Sequence, residues 1–379
     1  MSDKPLQNWA SDLDQGARLQ AEKTNRLSII TMPVALMPDA HLGIGSTIGS
    51  VIPTEGTIIP AAVGVDIGCG MIATRTDLTT NDLPDTMQPL VSEFGRSIPS
   101  GVGQANKHIS SRAMYWMLKH PLRENVSNDL KSRASKQLGS LGSGNHFLEV
   151  CLDESNNIWI MLHSGSRGIG NKLAVQHINI AKTLVHGLED PDLAYFTQGT
   201  QEFNLYINDM LWAQSYALEN REIMMNAALN QLFRYVKKGK ELERIQCHHN
   251  FAIKEMHFGK EMWITRKGAI SARKGEMGII PGSMATGSYI VRGLGNPLSY
   301  NSSSHGAGRR MSRSQAKRTL TVESLQERMG TKAWNSDKSV ALLDEHPDAY
   351  KDIKSVMNDQ KDLTEIVHEL HQILNYKGV

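Results

Sequence analysis

Asp66 and Cys69 stand three residues apart in the glycine-rich stretch Val63-Gly64-Val65-Asp66-Ile67-Gly68-Cys69-Gly70. A carboxylate and a thiolate on one turn suit a borderline cation such as Zn²⁺, Mn²⁺, Fe²⁺ or Co²⁺. The glycines let the backbone fold so that both side chains converge. The same residues also describe a turn with a capping Asp and a small buried Cys. Further chemistry lies along the chain: Asp39 and His41 two apart, then His146, His163, the pair His248-His249, and His305. Around His305, the run from Asn301 to Arg310 sets an imidazole among small residues beside Arg309 and Arg310. An arginine fork matches phosphate oxygens, so phosphate contact is one reading and a basic helix start the other.

The elements that must position these groups follow from periodicity. Ile58 to Ala62 reads as a buried strand opening into the Asp66–Cys69 turn. Leu27 to Leu36 reads as a strand that delivers Asp39 and His41 at a strand-to-loop junction. His146 to Leu152 and Asn157 to His163 read as a β-hairpin across a turn-rich connection. Centred between Glu154 and Ser155, that hairpin puts His146 directly opposite His163, with Cβ atoms roughly 4.5–5.5 Å apart. Both imidazoles then reach one metal, or one each of a close pair. His248 and His249 follow a strand, where neighbours face opposite ways, so at most one of them reaches a given site. Helices are expected over 169–188 and 201–237, the second with a buried stripe of Met210, Leu211, Ala217, Leu218, Met224, Met225, Ala228 and Leu232. A last helix is expected from Asp362, with Leu363, Ile366, Val367, Leu370, Ile373 and Leu374 on its docked face. The Gly/Ser/Thr-rich segment 43–56 could form backbone nests for an anion, and the Gly/Ser-rich loop 279–288 could wrap a nucleotide, although it lacks the lysine of a P-loop.

Composition bounds the class. With 379 residues, 40% hydrophobic, 21% charged and net +2, the chain is neither disordered nor fibrous. So small a net charge leaves nucleic-acid binding to a local patch. Three scattered cysteines fit a reducing compartment. A polar N-terminus and the lack of a long uncharged apolar run point to a cytoplasmic protein without a membrane span. Without repeats or linkers, the expectation is one compact α+β domain over 1–379, with mixed β-sheets flanked by helices and a metal site at strand ends and loops.

Six stretches taken in order, Met37 to Gly43, Val65 to Cys69, Gly144 to Phe147, His163 to Arg167, His248 to Asn250 and Ser304 to Arg309, make the chain resemble an RtcB-type RNA-splicing ligase from about residue 30 to Lys377. The resemblance implies GTP-dependent joining of RNA 2′,3′-cyclic phosphate or 3′-phosphate ends to 5′-hydroxyl ends, with two Mn²⁺ ions. It implies that Cys69 bridges the ions, with Asp66 and His146 on the first and His163 and His249 on the second. His305 would be the nucleophile that takes GMP from GTP. Asn145, Glu149, His249, Asn250, Pro281, Gly282, Ser283, Met284, Ser288, Gly306, Ala307, Gly308 and Lys377 would hold the guanylate. Asp39 would assist proton transfer or steer metal, and Arg167, Lys267 and Arg309 would meet RNA or triphosphate oxygens. One implication conflicts with strand alternation, which sets Glu149 on the face opposite His146; a bulge, or a position past the regular strand, would reconcile them. The segment before Ile30 and residues 95–135 carry no family motif. RNA is the implied partner and a monomer the expected state. Two other readings use the same residues: a dinuclear cyclic phosphodiesterase that does not ligate, and a catalytically silent RNA-binding protein.

Overall fold

The strand that leaves the Asp66–Cys69 turn sits inside the larger of two main sheets. In the computed structural model, which describes residues 4–379, Gly70–Thr79 pairs antiparallel with Asn157–Ser164 on one side and Glu241–His248 on the other. Beyond Asn157–Ser164 the sheet continues through Phe147–Leu152, Thr364–Lys377, Ser288–Gly293 and Met277–Ile280. A second sheet of five strands runs Gln7–Asn8, Ala35–His41, Ile48–Thr54, Lys260–Lys267, Asn250–His257. The chain passes from one sheet to the other at His249, between Glu241–His248 and Asn250–His257. Strands and helices thus form one α+β domain in which the sheets meet at a candidate ligand.

One face of the larger sheet buries Ile72, Leu148, Val150, Ile160 and Leu162 against Met224, Met225, Ala228 and Leu232 of the helix Gln201–Val236. At roughly 1.5–3 kcal/mol per buried side chain of this kind, that face anchors the hairpin on which His163 sits. The methionine stripe expected on this helix is therefore core, although Leu211 and Leu218 face outward. No helix among the described residues is long and apolar enough to cross a membrane.

Four expectations differ from the structure, each for a local reason. Ile58–Ala62 is not a strand: Thr57–Ile58 pairs briefly and Pro60–Val63 then forms a one-turn helix. Pro60 has no N–H for a ladder and its fixed φ suits a first helical position. The strand expected over Leu27 to Leu36 instead runs Ala35–His41 and contains Asp39 and His41. Its ladder with Ile48–Thr54 is interrupted between Leu36 and His41, around Pro38, which cannot donate to it.

The hairpin register is one residue off, with Phe147 opposite His163. Asn156 takes a left-handed φ of 63° and its N–H bonds to Asp153 O at 2.9 Å, closing a tighter turn than expected. The last segment, finally, is the strand Thr364–Lys377 and not a helix. Its pairing skips Val367 against Ser288–Gly293 and Ile373 against Phe147–Leu152. Two bulges shift the phase of a period-2 pattern, and the apolar positions then fall near a helical spacing.

Candidate active site

Three strand ends and one turn converge on Cys69. Gly70 pairs with both Ser164 and His248, and a Cβ there would lie 2.1 Å from Cys247 O, so only glycine lets these backbones close up. His249 N–H donates to Cys69 O at 2.8 Å, which ties the crossing between sheets to the turn. As a result Cys69 Sγ lies 3.4 Å from His146 Nε2 and 3.2 Å from His163 Nε2. His146 Nε2 is 3.1 Å from Asp66 Oδ2, and His163 Nε2 is 2.8 Å from His249 Nε2. His248 turns away, its Nδ1 2.8 Å from Gly68 O, so one histidine of the pair reaches the cluster.

The backbone orients the imidazoles. His146 Nδ1 lies 2.9 Å from Leu141 O and His163 Nδ1 lies 3.1 Å from Asn145 O. Carbonyls only accept, so His163 Nδ1 carries the proton and its Nε2 aims a lone pair at the sulfur, whereas His146 lies between the Leu141 carbonyl and Arg167 at Nδ1 and the Asp66 carboxylate at Nε2. Lone pairs converging on one buried point, with a carboxylate and a third imidazole alongside, fit a divalent cation. Burial holds His163 and His249 well below the usual imidazole range, which keeps them neutral. Burial, then the Asp66 carboxylate, pushes the Cys69 thiol up. For Asp66 burial acts upward too, but His146 and Arg167 outweigh it and hold the carboxyl well below its ordinary value.

Two neighbouring side chains on the long helix support the cluster from behind. Arg221, fully buried, donates to Gly68 O at 2.8 Å and Ser164 O at 3.0 Å. The Asn220 amide donates to Ser140 O, Ser164 Oγ and Gly165 O, and its oxygen accepts from Gly139 N. Sequence reasoning missed both. A signal existed, because Arg221 falls on the buried stripe between Ala217 and Met224, where an unpaired charge is untenable.

His305 follows the short strand Ser302–Ser304, and its ring centroid lies 4.7 Å from that of His249. The buried Asp39 carboxylate accepts through Oδ2 from His305 Nδ1 at 2.6 Å, from its backbone N at 3.1 Å and from Gly306 N at 3.2 Å. Asp39 therefore fixes the ring and leaves Nε2 as the free nitrogen. Gly308 has φ 73°, and a Cβ there would meet Asp39 O at 2.3 Å, so the turn after His305 requires glycine.

A cavity of about 360 Å³ opens beside these groups. Its lining includes Asn145, Glu149, His249, Asn250, Pro281, Gly282, Ser283, Met284, Ser288, His305, Gly306, Ala307, Gly308 and Lys377, all of the residues expected around a guanylate. Asp66 and His163 reach it as well, whereas Cys69 and His146 lie behind. Glu149 faces this space with His163 and Phe147 because the strand begins at Phe147. It is His146 that lies outside the regular strand, so neither a bulge at Glu149 nor a displaced Glu149 is needed. Burial pushes Glu149 up to about 7, against the opposing pull of Lys377 and Asn375, whose amide donates to it at 2.6 Å.

Lys377 pairs with the buried Glu345 at 3.0 Å. Glu345 also takes Arg313 at 2.6 Å, Arg309 at 3.3 Å and the Tyr350 hydroxyl at 2.6 Å. Burial raises its carboxyl, but the surrounding cations hold it down at about 2. Nothing in the sequence marked Glu345, Tyr350 or Asn375.

The three cations expected to meet phosphates are engaged by protein. Arg309 bonds Glu345, Asp344 O, Met311 O and the Tyr350 hydroxyl. Lys267 donates to Ala61 O at 2.9 Å and to Ile44 O. Arg167 approaches His146 Nδ1 at 3.0 Å, behind the cluster.

Known proteins resemble this chain over nearly its whole length. Residues 20–378 match the family described as tRNA-splicing ligase RtcB. The chain is 44% identical to the RNA-splicing ligase RtcB of Escherichia coli (strain K12), over 99% of this chain and 97% of that protein. It is 30% identical to the tRNA-splicing ligase RtcB of Nanoarchaeum equitans, over 100% of this chain and 94% of that protein. The Archaeoglobus fulgidus tRNA-splicing ligase RtcB is 31% identical over 94% of this chain and 88% of its own length. Similarity of this extent, from one end of the described fold to the other, means that the chain belongs to the RtcB family.

Proposed function

We propose that this protein is a GTP- and Mn²⁺-dependent RNA ligase that joins 2′,3′-cyclic phosphate or 3′-phosphate ends to 5′-hydroxyl ends. The observation that carries the reading is His305: an imidazole held by Asp39 through Nδ1, beside a metal-ligand cluster, on a cavity of nucleotide size. A neutral imidazole is a competent nucleophile near pH 7, and covalent guanylylation splits a hard step into easier ones.

His305 Nε2 attacks the α-phosphorus of GTP; an N–P bond forms and the bond to pyrophosphate breaks. Where the RNA ends in a 2′,3′-cyclic phosphate, water first adds to that phosphorus and the bond to O2′ breaks, a proton passing to O2′, to leave a 2′-hydroxyl and a 3′-phosphate. An oxygen of the 3′-phosphate then attacks the guanylate phosphorus and releases the imidazole, leaving the RNA end capped by GMP. The 5′-hydroxyl oxygen attacks the RNA 3′-phosphorus and GMP departs. Asp66, Cys69, His146, His163 and His249 would hold the divalent ions, which neutralise charge at the attacking and leaving oxygens. Glu149, at the cavity wall, suits the donor edge of guanine, whose N1–H and amino group both need acceptors; adenine offers no such pair.

The test is ligation itself. RNA carrying a 2′,3′-cyclic phosphate and a 5′-hydroxyl, incubated with Mn²⁺, is expected to join only when GTP is added. Opening of the cyclic phosphate without joining, at any GTP concentration, would overturn the ligase reading in favour of a cyclic phosphodiesterase.

A further inference from the structure

The catalytic cavity has a second wall to which nothing above assigns a role. Its lining includes Ile44 of the loop after Ala35–His41, Ile48 at the start of the strand Ile48–Thr54, Val65 of the turn before Asp66, and Ile178 of the helix Arg167–Leu184. Ile44 is 78% exposed and Val65 40% exposed. Exposed branched side chains on a catalytic rim are unusual, since apolar patches of this kind mark binding grooves.

The backbone beneath them is fixed. Gln20 bonds Gly43 in both directions, its amide to Gly43 O at 2.6 Å and its oxygen from Gly43 N at 3.1 Å. The buried Lys267 ammonium donates to Ile44 O and to Ala61 O, joining the loop to the short helix before Val65. Lys267 is thus a positioning residue for this rim. Apolar side chains on an already ordered loop lose little freedom when a ligand covers them.

We infer that Ile44, Ile48, Val65 and Ile178 form an apolar lip that seats the 3′-terminal nucleobase of the RNA strand that receives the guanylate. The inference rests on the ligase reading. That reading gives the polar wall, with Glu149 and Lys377, to the guanylate. The RNA 3′-phosphate must meet phosphorus at His305, so its own nucleotide has to lie on the other side of His305 and His249. Within an RNA end only the base faces are apolar, and unpaired end bases are commonly held by packing against side chains. The phosphate therefore sits at the cluster and the base on the lip.

Equilibrium binding tests this without requiring turnover. The probe is a fluorescent oligoribonucleotide ending in a 3′-phosphate, with Mn²⁺-loaded protein, read by anisotropy. Wild type is expected to bind it about tenfold more tightly than the same strand with an abasic 3′-terminal nucleotide. The double variant Ile44→Ser, Val65→Ser is expected to bind both strands equally, at the weaker affinity; these residues are exposed, so folding should survive, as an unchanged circular dichroism spectrum would show. Equal binding of the two strands by wild type, or a preference of the same size retained in the variant, would overturn the lip. So would base dependence at the 5′-terminal nucleotide of a 5′-hydroxyl strand in place of the 3′ end. Guanylylation by GTP without RNA, run in parallel, separates the two ideas, because its failure counts against the ligase reading alone.

Discussion

The metal-ligand cluster and the guanylate wall share one cavity but are built on different principles. At the cluster, backbone carbonyls of Leu141 and Asn145 orient the imidazoles, and Gly70 lets three strand ends meet at Cys69. At the wall, a buried carboxylate, Glu345, gathers Lys377, Arg309, Arg313 and Tyr350 from separate segments. One region is held by backbone geometry and the other by charge. The first should fail by losing metal while the fold persists, and the second by losing stability or by responding to pH.

The largest effect should come from breaking the cluster. Cys69→Ala removes the donor that both His146 and His163 face, and should cut metal affinity at least ~100-fold, the upper range for disturbing even an outer partner. Isothermal titration with Mn²⁺ measures the loss, and an unchanged urea midpoint for the metal-free protein would show that the fold did not depend on it. Breaking the wall should do the reverse. Glu345→Gln leaves the buried Lys377 without its carboxylate and takes one partner from the half-buried Arg309, at a cost of about 3–5 kcal/mol of stability. Urea unfolding reads that cost, with metal affinity nearly unchanged.

Arg221→Met sharpens the comparison, since it removes a charge but acts on the cluster by releasing Gly68 O and Ser164 O. A drop of about 10–100-fold in metal affinity is expected. The smallest effect is a pH profile. Glu149 is raised in the fold to about 7 from an ordinary 4.5, so its contribution to stability is complete below the ordinary value and is lost as pH rises through about 7. The ionised form accepts the guanine edge, so GTP affinity should rise over the same interval. Glu149→Gln should flatten both profiles, measured by thermal melts and nucleotide titration.

What the sequence made legible follows the same division. Asp66, Cys69, His146, His163, His249 and His305 became legible as a set because six short motifs fall in the order of a known family; taken alone, the Asp66–Cys69 turn reads equally as a capped turn with a small buried cysteine. Their convergence survived a register error of one residue, because His146 lies just before the strand and reaches Cys69 from a loop. The final strand was misread because bulges at Val367 and Ile373 break the alternation that identifies strands. Glu345 and Asn375 were invisible for a different reason: a carboxylate or amide acquires its meaning from partners that only tertiary packing supplies. The same holds for Lys267 and Arg309, which line the cavity while their carbonyl, carboxylate and tyrosine partners come from segments distant in sequence.

The most direct test of the central claim, that His305 is the nucleophile, is incubation with GTP labelled at the α-phosphate and Mn²⁺, followed by a denaturing gel. Wild type should retain acid-labile label, as a phosphoramidate does, and His305→Ala should retain none. Absence of label on folded, metal-loaded wild type, or equal label on the variant, would contradict the account.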